Sequence, residues 1–204
     1  NTIGTEILEA ISKAIEITEK DFKGLVIGND GQNFSAGANL AMMFMLAAEE
    51  EYDEIDFAVR AFQNTMMGIR YSSVPVVAAP HGLTLGGGCE LCLHSDKVVA
   101  GAETYIGLVE VGVGIIPAGG GSKEMTLRAS DSYTEGAIEF PELQNRFLAI
   151  AQAKVATSAF EAFDLGIFRK GNDKYVINQH RIISDAKKAA LELTDQGYTM
   201  PQRR

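Results

Sequence analysis

The stretch from Ser72 to Leu91 constrains this chain more than any other. Ser72–Pro75 breaks what precedes it, and Val76–Ala79 is a short, β-branched, apolar run of the kind that forms a buried strand. Gly82–Gly88 is a glycine-rich exit that runs into a helix beginning near Cys89. Three consecutive glycines, Gly86, Gly87 and Gly88, let the backbone turn sharply and let a ligand approach the main chain closely. A helix that opens there presents unpaired N–H groups and the positive end of its dipole, a setting that stabilises a developing oxyanion. The residues alone leave a second account open, a tight strand-to-helix turn that binds nothing.

Around this unit the hydrophobic pattern predicts an α/β fold. Ile7, Leu8, Ile11, Ala14 and Ile15 are spaced as one face of a helix over 5–20, and Gly24–Gly28 reads as a buried strand. A turn at 29–33 then leads into Phe34–Leu40, a second glycine-containing loop that follows a strand. Residues 41–70 read as helix, with Glu49–Glu51 on its solvated face. Lys97–Ala100 and Thr104–Val109 read as further strands. Repeated strand, helix and strand imply parallel pairing with right-handed crossovers. Loops that leave parallel strands converge beyond their carboxyl ends, where open α/β folds bind ligands. After Arg128 the pattern becomes helical, over 142–156, 158–166 and 180–196. Ser158 and Glu161 form a capping box there, and Gly166 and Gly197 act as stops. The expected organisation is therefore an α/β core over 1–128 with a helical C-terminal region, 129–204, in the same domain. The chain opens on Asn1 and closes on Arg204, and it reads as a piece of something longer.

Two acids stand out. Glu90 falls in the first turn of the helix after the triple glycine, and Glu110 separates apolar Tyr105–Val109 from the uncharged stretch Val111–Pro117. Burial raises a carboxyl pKa into the range useful for proton transfer, and two close carboxylates push their pKa values apart. Either glutamate taken alone is as readily a surface residue.

Several function classes are excluded or disfavoured. A formal charge of -9 leaves no surface for nucleic acid, which needs Lys and Arg to neutralise phosphates. No apolar run reaches membrane-spanning length. Cys89 and Cys92 are the only cysteines, so neither a disulfide framework nor a zinc site is expected, and a reducing cytoplasm fits. Gly112-x-Gly114 meets Pro117 where a dinucleotide fingerprint needs glycine. His81, His94 and His180 are scattered, and no Gly-x-Ser-x-Gly turn supports a triad.

Three segments together, FSAGANL from Phe34, PVVAAPHGLTLGGGCELCLHSD from Pro75 and YIGLVEVGVGIIPAGGGSKEM from Tyr105, resemble the crotonase (enoyl-CoA hydratase/isomerase) superfamily. The resemblance runs from Asn1 to about Arg128. It implies a spiral of strand-strand-helix units and an oxyanion hole formed by the N–H groups of Ala38 and Gly87. It also implies Glu90 and Glu110 as the hydratase pair, and a coenzyme A thioester as substrate with no permanently bound cofactor. Contacts to the acyl-CoA fall to Ala36, Asn39, Leu40, Gly86 and Ala118, and Met42–Met45 follow as lining for an acyl tunnel. Related isomerases keep only the second glutamate, so the retained pair points to hydration. Isomerisation, another crotonase-fold acyl-CoA reaction such as thioester hydrolysis, and a non-catalytic acyl-CoA-binding or assembly fragment are the alternatives.

This sequence departs from the family pattern in places. The family's opening hairpin is absent, Asn39 replaces an acid, His81 an asparagine and Ala118 a glycine. The stretch 129–145 drifts. The segment from Ser184 to Tyr198 resembles the hydratase portion of multifunctional fatty-acid oxidation proteins, which also carry a 3-hydroxyacyl-CoA dehydrogenase. The resemblance further implies homotrimers or hexamers.

Overall fold

The computed structural model describes residues 1–138 and 140–203, so the end of the C-terminal region at Arg204 lies outside the described residues. Helix α1, Thr5–Asp21, buries Leu8, Ile11, Ile15 and Thr18, the three- and four-residue spacing that the sequence sets up. Ile7, read as part of that face, is instead exposed. Strand β1, Leu25–Ile27, leads through the loop 28–39 to helices α2, Leu40–Ala48, and α3, Tyr52–Arg70. The single helix expected over 41–70 is thus broken at the acidic run. Glu50 takes a positive φ of 59° there, and three adjacent like charges sit in solvent.

Strand β2, Val76–Ala78, is followed by β3, Gly82–Leu85, and by helix α4, Gly87–His94. Strands β4, Lys97–Gly101, and β5, Thr104–Gly107, precede a 3-10 turn, Glu110–Val113, and helix α5, Gly121–Asp131. Helices α6, Phe140–Ala151, and α7, Ala159–Asp164, strand β6, Lys174–Val176, and helix α8, Ile182–Asp195, complete the described chain. The expected division after Arg128 falls inside α5. The buried Arg128 guanidinium donates to Leu93 O at 2.8 Å and to Ile167 O at 2.7 Å, which joins the two parts.

Among the described residues the six strands pair with one another in parallel, in two sheets. One holds β1-β2-β4-β6 and the other β3-β5, in register Gly82↔Thr104 to Leu85↔Gly107. Residues alternate in direction along a strand, so β2 feeds two cores. Val76 and Ala78 join Met66, Ile69, Leu91, Ile106 and Phe168, while Val77 packs under Ile182, Ala186 and Ala189 of α8. The four-stranded sheet is therefore covered on both faces, as parallel sheets require.

Two C-terminal expectations change in detail. Ser158 Oγ accepts from Glu161 N–H at 3.1 Å, as a cap should, but the Glu161 carboxylate accepts from Thr157 N–H rather than from the cap residue itself. The helix expected over 142–156 stops at Ala151 and gives way to Ala153, whose φ is 48°, and to an antiparallel bridge between Ala156 and Ile106. Gly166 and Gly197 adopt φ of 67° and 80° and end their helices as read.

Candidate functional site

The glycine loop at 86–88 does not leave the main sheet. It leaves β3, which the sequence reading took for part of the turn, and β3 lies beside the first loop through the bridge Ser35↔Thr84. Ser35 N–H donates to Leu83 O at 3.0 Å and Leu85 N–H to Ser35 O at 2.9 Å, so the two loops run side by side. Their contact leaves no room for side chains. A β-carbon on Gly37, whose φ is 90°, would stand 2.9 Å from Leu85 O and 3.2 Å from Gly87 N. One on Gly87 would stand 3.5 Å from Ala38 N and 2.7 Å from the Phe62 ring.

The structure therefore brings Ala38 and Gly87 together. Gly87 is the first residue of α4, so its N–H has no partner within the helix. The first N–H bonded back into the turn is that of Glu90, to Gly86 O at 2.9 Å. Among the described residues Ala38 N–H donates to no other group. Gly86 caps the helix with φ 52° and is buried. Of the other residues assigned to the ligand, Ala36 and Asn39 are exposed and Leu40 is half-buried at the start of α2. Asn39 has a second task, since its side chain accepts from Met42 N–H at 3.4 Å and caps that helix. Ala118 is half-buried and its carbonyl accepts from Gln63 Nε2 at 2.7 Å.

Glu90 and Glu110 lie close enough for the charge of Glu110 to act on Glu90. Glu90 lies in the first turn of α4 and is only 3% exposed. Its Oε1 accepts from Gly121 N–H at 2.8 Å, and Oε2 abuts Gly119. Burial pushes its pKa up to about 7, the negative charge of Glu110 adds to that, and the N–H groups of Gly121 and Gly119 oppose it. Glu110 opens the 3-10 turn. Its Oε1 lies 3.2 Å from where a β-carbon of Gly86 would be. Its Oε2 is buried without a hydrogen-bond partner among the described residues. Burial raises its pKa too. The result is two carboxyls raised by burial, one of them also by the charge of the other, next to two backbone donors.

Beyond Glu110 opens an apolar cavity of about 780 Å³, lined among others by Val111, Ile116, Met125, Leu143, Phe147 and Ile150. Met42 and Met45 are exposed on α2 and do not line it. Sequence reasoning missed this cavity because about half of its wall comes from α6, which begins in the stretch where the motif resemblance drifts. The remaining candidates are structural. His81 Nε2 pairs with Gly31 O at 2.6 Å, and both thiols are free and buried.

The family description "Enoyl-CoA hydratase/isomerase" matches residues 1–140. The chain belongs to this family. Across 201 residues it is 46% identical to the "Probable 3-hydroxyacyl-CoA dehydrogenase" of Bacillus subtilis, covering 98% of this chain and 25% of that protein. It is 28% identical over 173 residues to the crotonyl-CoA hydratase of Syntrophomonas wolfei, covering 85% of this chain and 58% of that one. The chain thus spans about a quarter of the first relative (25%) and little more than half of the second (58%). Among solved structures, an enoyl-CoA hydratase from Polaromonas superposes with a TM-score of 0.75 at 26% identity, over 95% of this chain and 68% of that one. The crotonase fold expected from the motifs is the fold observed.

Proposed function

We propose that this enoyl-CoA hydratase/isomerase family member is a hydro-lyase that adds water to trans-2-enoyl-CoA and gives 3-hydroxyacyl-CoA, as in fatty-acid β-oxidation. The observation that carries this reading is the pair of buried Glu90 and half-buried Glu110, the latter against Gly86 next to the N–H groups of Ala38 and Gly87. The thioester oxygen accepts hydrogen bonds from those two groups. Electron density drawn onto it leaves C3 electrophilic. Glu90 accepts a proton from water as the hydroxyl bonds to C3, and the electrons returning from the thioester oxygen take a proton at C2 from Glu110. One water is consumed, and the cycle closes when Glu90 gives up the proton it gained and Glu110 takes one back. Donors fixed in place before reaction stabilise the developing charge without reorganisation. A carboxyl with a pKa near 7 exchanges its proton readily at neutral pH.

The acyl chain fits the apolar cavity beyond Glu110, whose volume of about 780 Å³ suits a ligand larger than a crotonyl group. Ala36, Asn39, Leu40, Gly86 and Ala118 are assigned to the CoA side. No permanently bound cofactor enters this mechanism. The name of the Bacillus subtilis relative supports a 3-hydroxyacyl-CoA dehydrogenase elsewhere in a longer protein, which would oxidise the product made here. A homotrimer or hexamer is the expected assembly. A cytoplasmic location suits the free thiols, and among the described residues no helix is long and apolar enough to cross a membrane.

The test is loss of the conjugated enoyl-thioester absorbance when the protein meets crotonyl-CoA. Turnover that collapses in both Glu90→Gln and Glu110→Gln supports hydration. Survival of double-bond migration in Glu90→Gln alone would make the chain an isomerase. CoA binding without any turnover would make it a binding or assembly fragment.

A further inference from the structure

Behind Glu90 lies a buried polar cluster that the hydration chemistry does not use. His94, one helical turn beyond Glu90 on α4, has a fully buried side chain. Its Nδ1 lies 2.7 Å from Glu90 O. A carbonyl only accepts, so Nδ1 carries the proton and Nε2 is the bare nitrogen. The ring lies directly under Gly120, whose φ is 111°. A β-carbon on that glycine would stand 2.8 Å from Nε2 and 2.9 Å from Cε1. Glu124, 1% exposed, lies in the first turn of α5, where its main-chain N–H makes the ordinary helical bond to the cap residue, to Gly120 O at 3.0 Å. Its carboxylate holds Arg70 at 2.8 Å and Lys123 at 3.0 Å, and its Oε1 lies 3.6 Å from His94 Nε2.

Gly120 is the middle of the turn Gly119–Gly121, and this turn donates the N–H groups that hold the Glu90 carboxylate. His94 thus reaches Glu90 twice, through its carbonyl and through the turn that binds its side chain. We infer that His94 is a positioning residue that clamps the Gly119–Gly121 turn onto Glu90 and thereby sets the ionisation of its carboxyl. The clamp rests on the reading of Glu90 as an acid–base group. The charged and titratable groups around the ring are Glu124 and Lys123 from α5, Arg70 from α3, and Asp96, Asp131 and Arg169 across the adjoining polar cavity. The charge of Glu110 also reaches Glu90. Burial, helped by Lys123 and Arg70, outweighs Glu124 and keeps the ring neutral, with a pKa of about 4. The ring therefore adds no charge beside Glu90 at neutral pH and acts through geometry.

A space-filling histidine would be replaceable by phenylalanine, whereas a clamp would not. His94→Phe keeps the bulk and loses the bond to Glu90 O, while His94→Asn keeps an N–H near the Nδ1 position. As the turn slackens, the donors that favour the carboxylate weaken. The rising limb of kcat against pH then moves up by about one pH unit in His94→Phe, which is roughly a tenfold loss of kcat below the limb. KM stays unchanged, and His94→Asn falls between His94→Phe and wild type. His94→Asn serves by itself if His94→Phe does not fold. Infrared titration of the carboxyl band that disappears in Glu90→Gln reads the same shift without turnover. If Glu90→Gln retains wild-type hydration, the functional reading fails. If Glu90→Gln is inactive but the limb stays put in His94→Phe and His94→Asn, the functional reading stands and the clamp is overturned.

Discussion

The two glutamates sit on turns of opposite character. Glu90 belongs to a helix whose other end is braced by His94, and it is wrapped by Gly119 and Gly121 so closely that a β-carbon on Gly121 would stand 3.0 Å from its Oε1. Glu110 belongs to a single 3-10 turn followed by exposed Val111, Val113, Ile115 and Ile116, and its buried Oε2 has no hydrogen-bond partner among the described residues. One carboxyl is held by fixed donors. The other keeps an acceptor free. The difference teaches that a pair drawn together by one chemistry need not be built alike. A rigid member sets the reference geometry, and an open member leaves a lone pair for water or substrate.

The largest effect that can break this comparison is on turnover. Removing either acid–base group should lower kcat for crotonyl-CoA by about 10²- to 10⁴-fold, since that is the usual contribution of a positioned proton-transfer group. Glu90→Gln keeps the acceptor that Gly121 N–H needs, so the fold around it persists. If Glu110→Gln proves harmless while Glu90→Gln does not, the open member has no part in the reaction and the pairing is wrong.

Stability against pH separates the two next. Glu90 has a raised pKa, so its favourable contribution is complete below its ordinary value of 4.5 and is lost as pH rises through about 7. Above that pH the buried carboxylate costs on the order of 3 kcal/mol relative to a neutral group. Glu90→Gln should therefore raise Tm at pH 8 and leave it nearly unchanged at pH 4.5. Glu110→Gln should move in the same direction by less, because Glu110 is only half-buried. Thermal unfolding across pH checks both. His94 runs the other way. Its pKa is depressed to about 4, so its contribution is complete above 6.5 and is lost as pH falls through 4.

How much of this was legible in the sequence follows from where each part draws its specification. Strands β2 and β4 and helices α1 and α8 were readable because burial and periodicity coincide within a few adjacent residues. Ala38, Gly87, Glu90 and Glu110 were readable through the motif resemblance, and the structure brings them together. Strand β3 was not, because Gly82–Leu85 is four residues beginning with a glycine and gains its identity from pairing with β5. Strand β6 is three residues led by an exposed lysine and is specified by the edge of β4. The cluster of His94, Glu124 and Arg70 spans 54 residues of sequence, and each member alone resembles a surface polar residue. Long-range burial, not local pattern, defines it.

Packing sharpens the contrast further. Gly119 has no space for a side chain, since a β-carbon would abut Glu90 Oε2 and stand 2.6 Å from two atoms of the Phe62 ring. Gly119→Ala should force the turn or the carboxyl to move, costing about 1–3 kcal/mol in stability, as overpacking typically does. It should also depress turnover beyond what the stability loss explains. Urea unfolding and a kcat measurement on the same preparation distinguish the two. An alanine accepted with unchanged stability and turnover would mean that the wrapping of Glu90 is loose.

The smallest effect lies on the other turn. Gly114, four residues after Glu110, has φ 83° and nothing within 4 Å of its would-be β-carbon. Gly114→Ala therefore meets no obstacle and costs only the strain of an L-residue in the left-handed region, about 1 kcal/mol. Because the turn is open, it can relax without dragging Glu110 with it, and kcat should change by less than the stability does. Gly114→Asn should recover part of the loss, since asparagine tolerates that conformation better. If Gly114→Ala instead lowers kcat as steeply as Gly119→Ala, then the backbone after Glu110 is positioned as strictly as the turn around Glu90. The division into a rigid and an open member would then dissolve into one preorganised site.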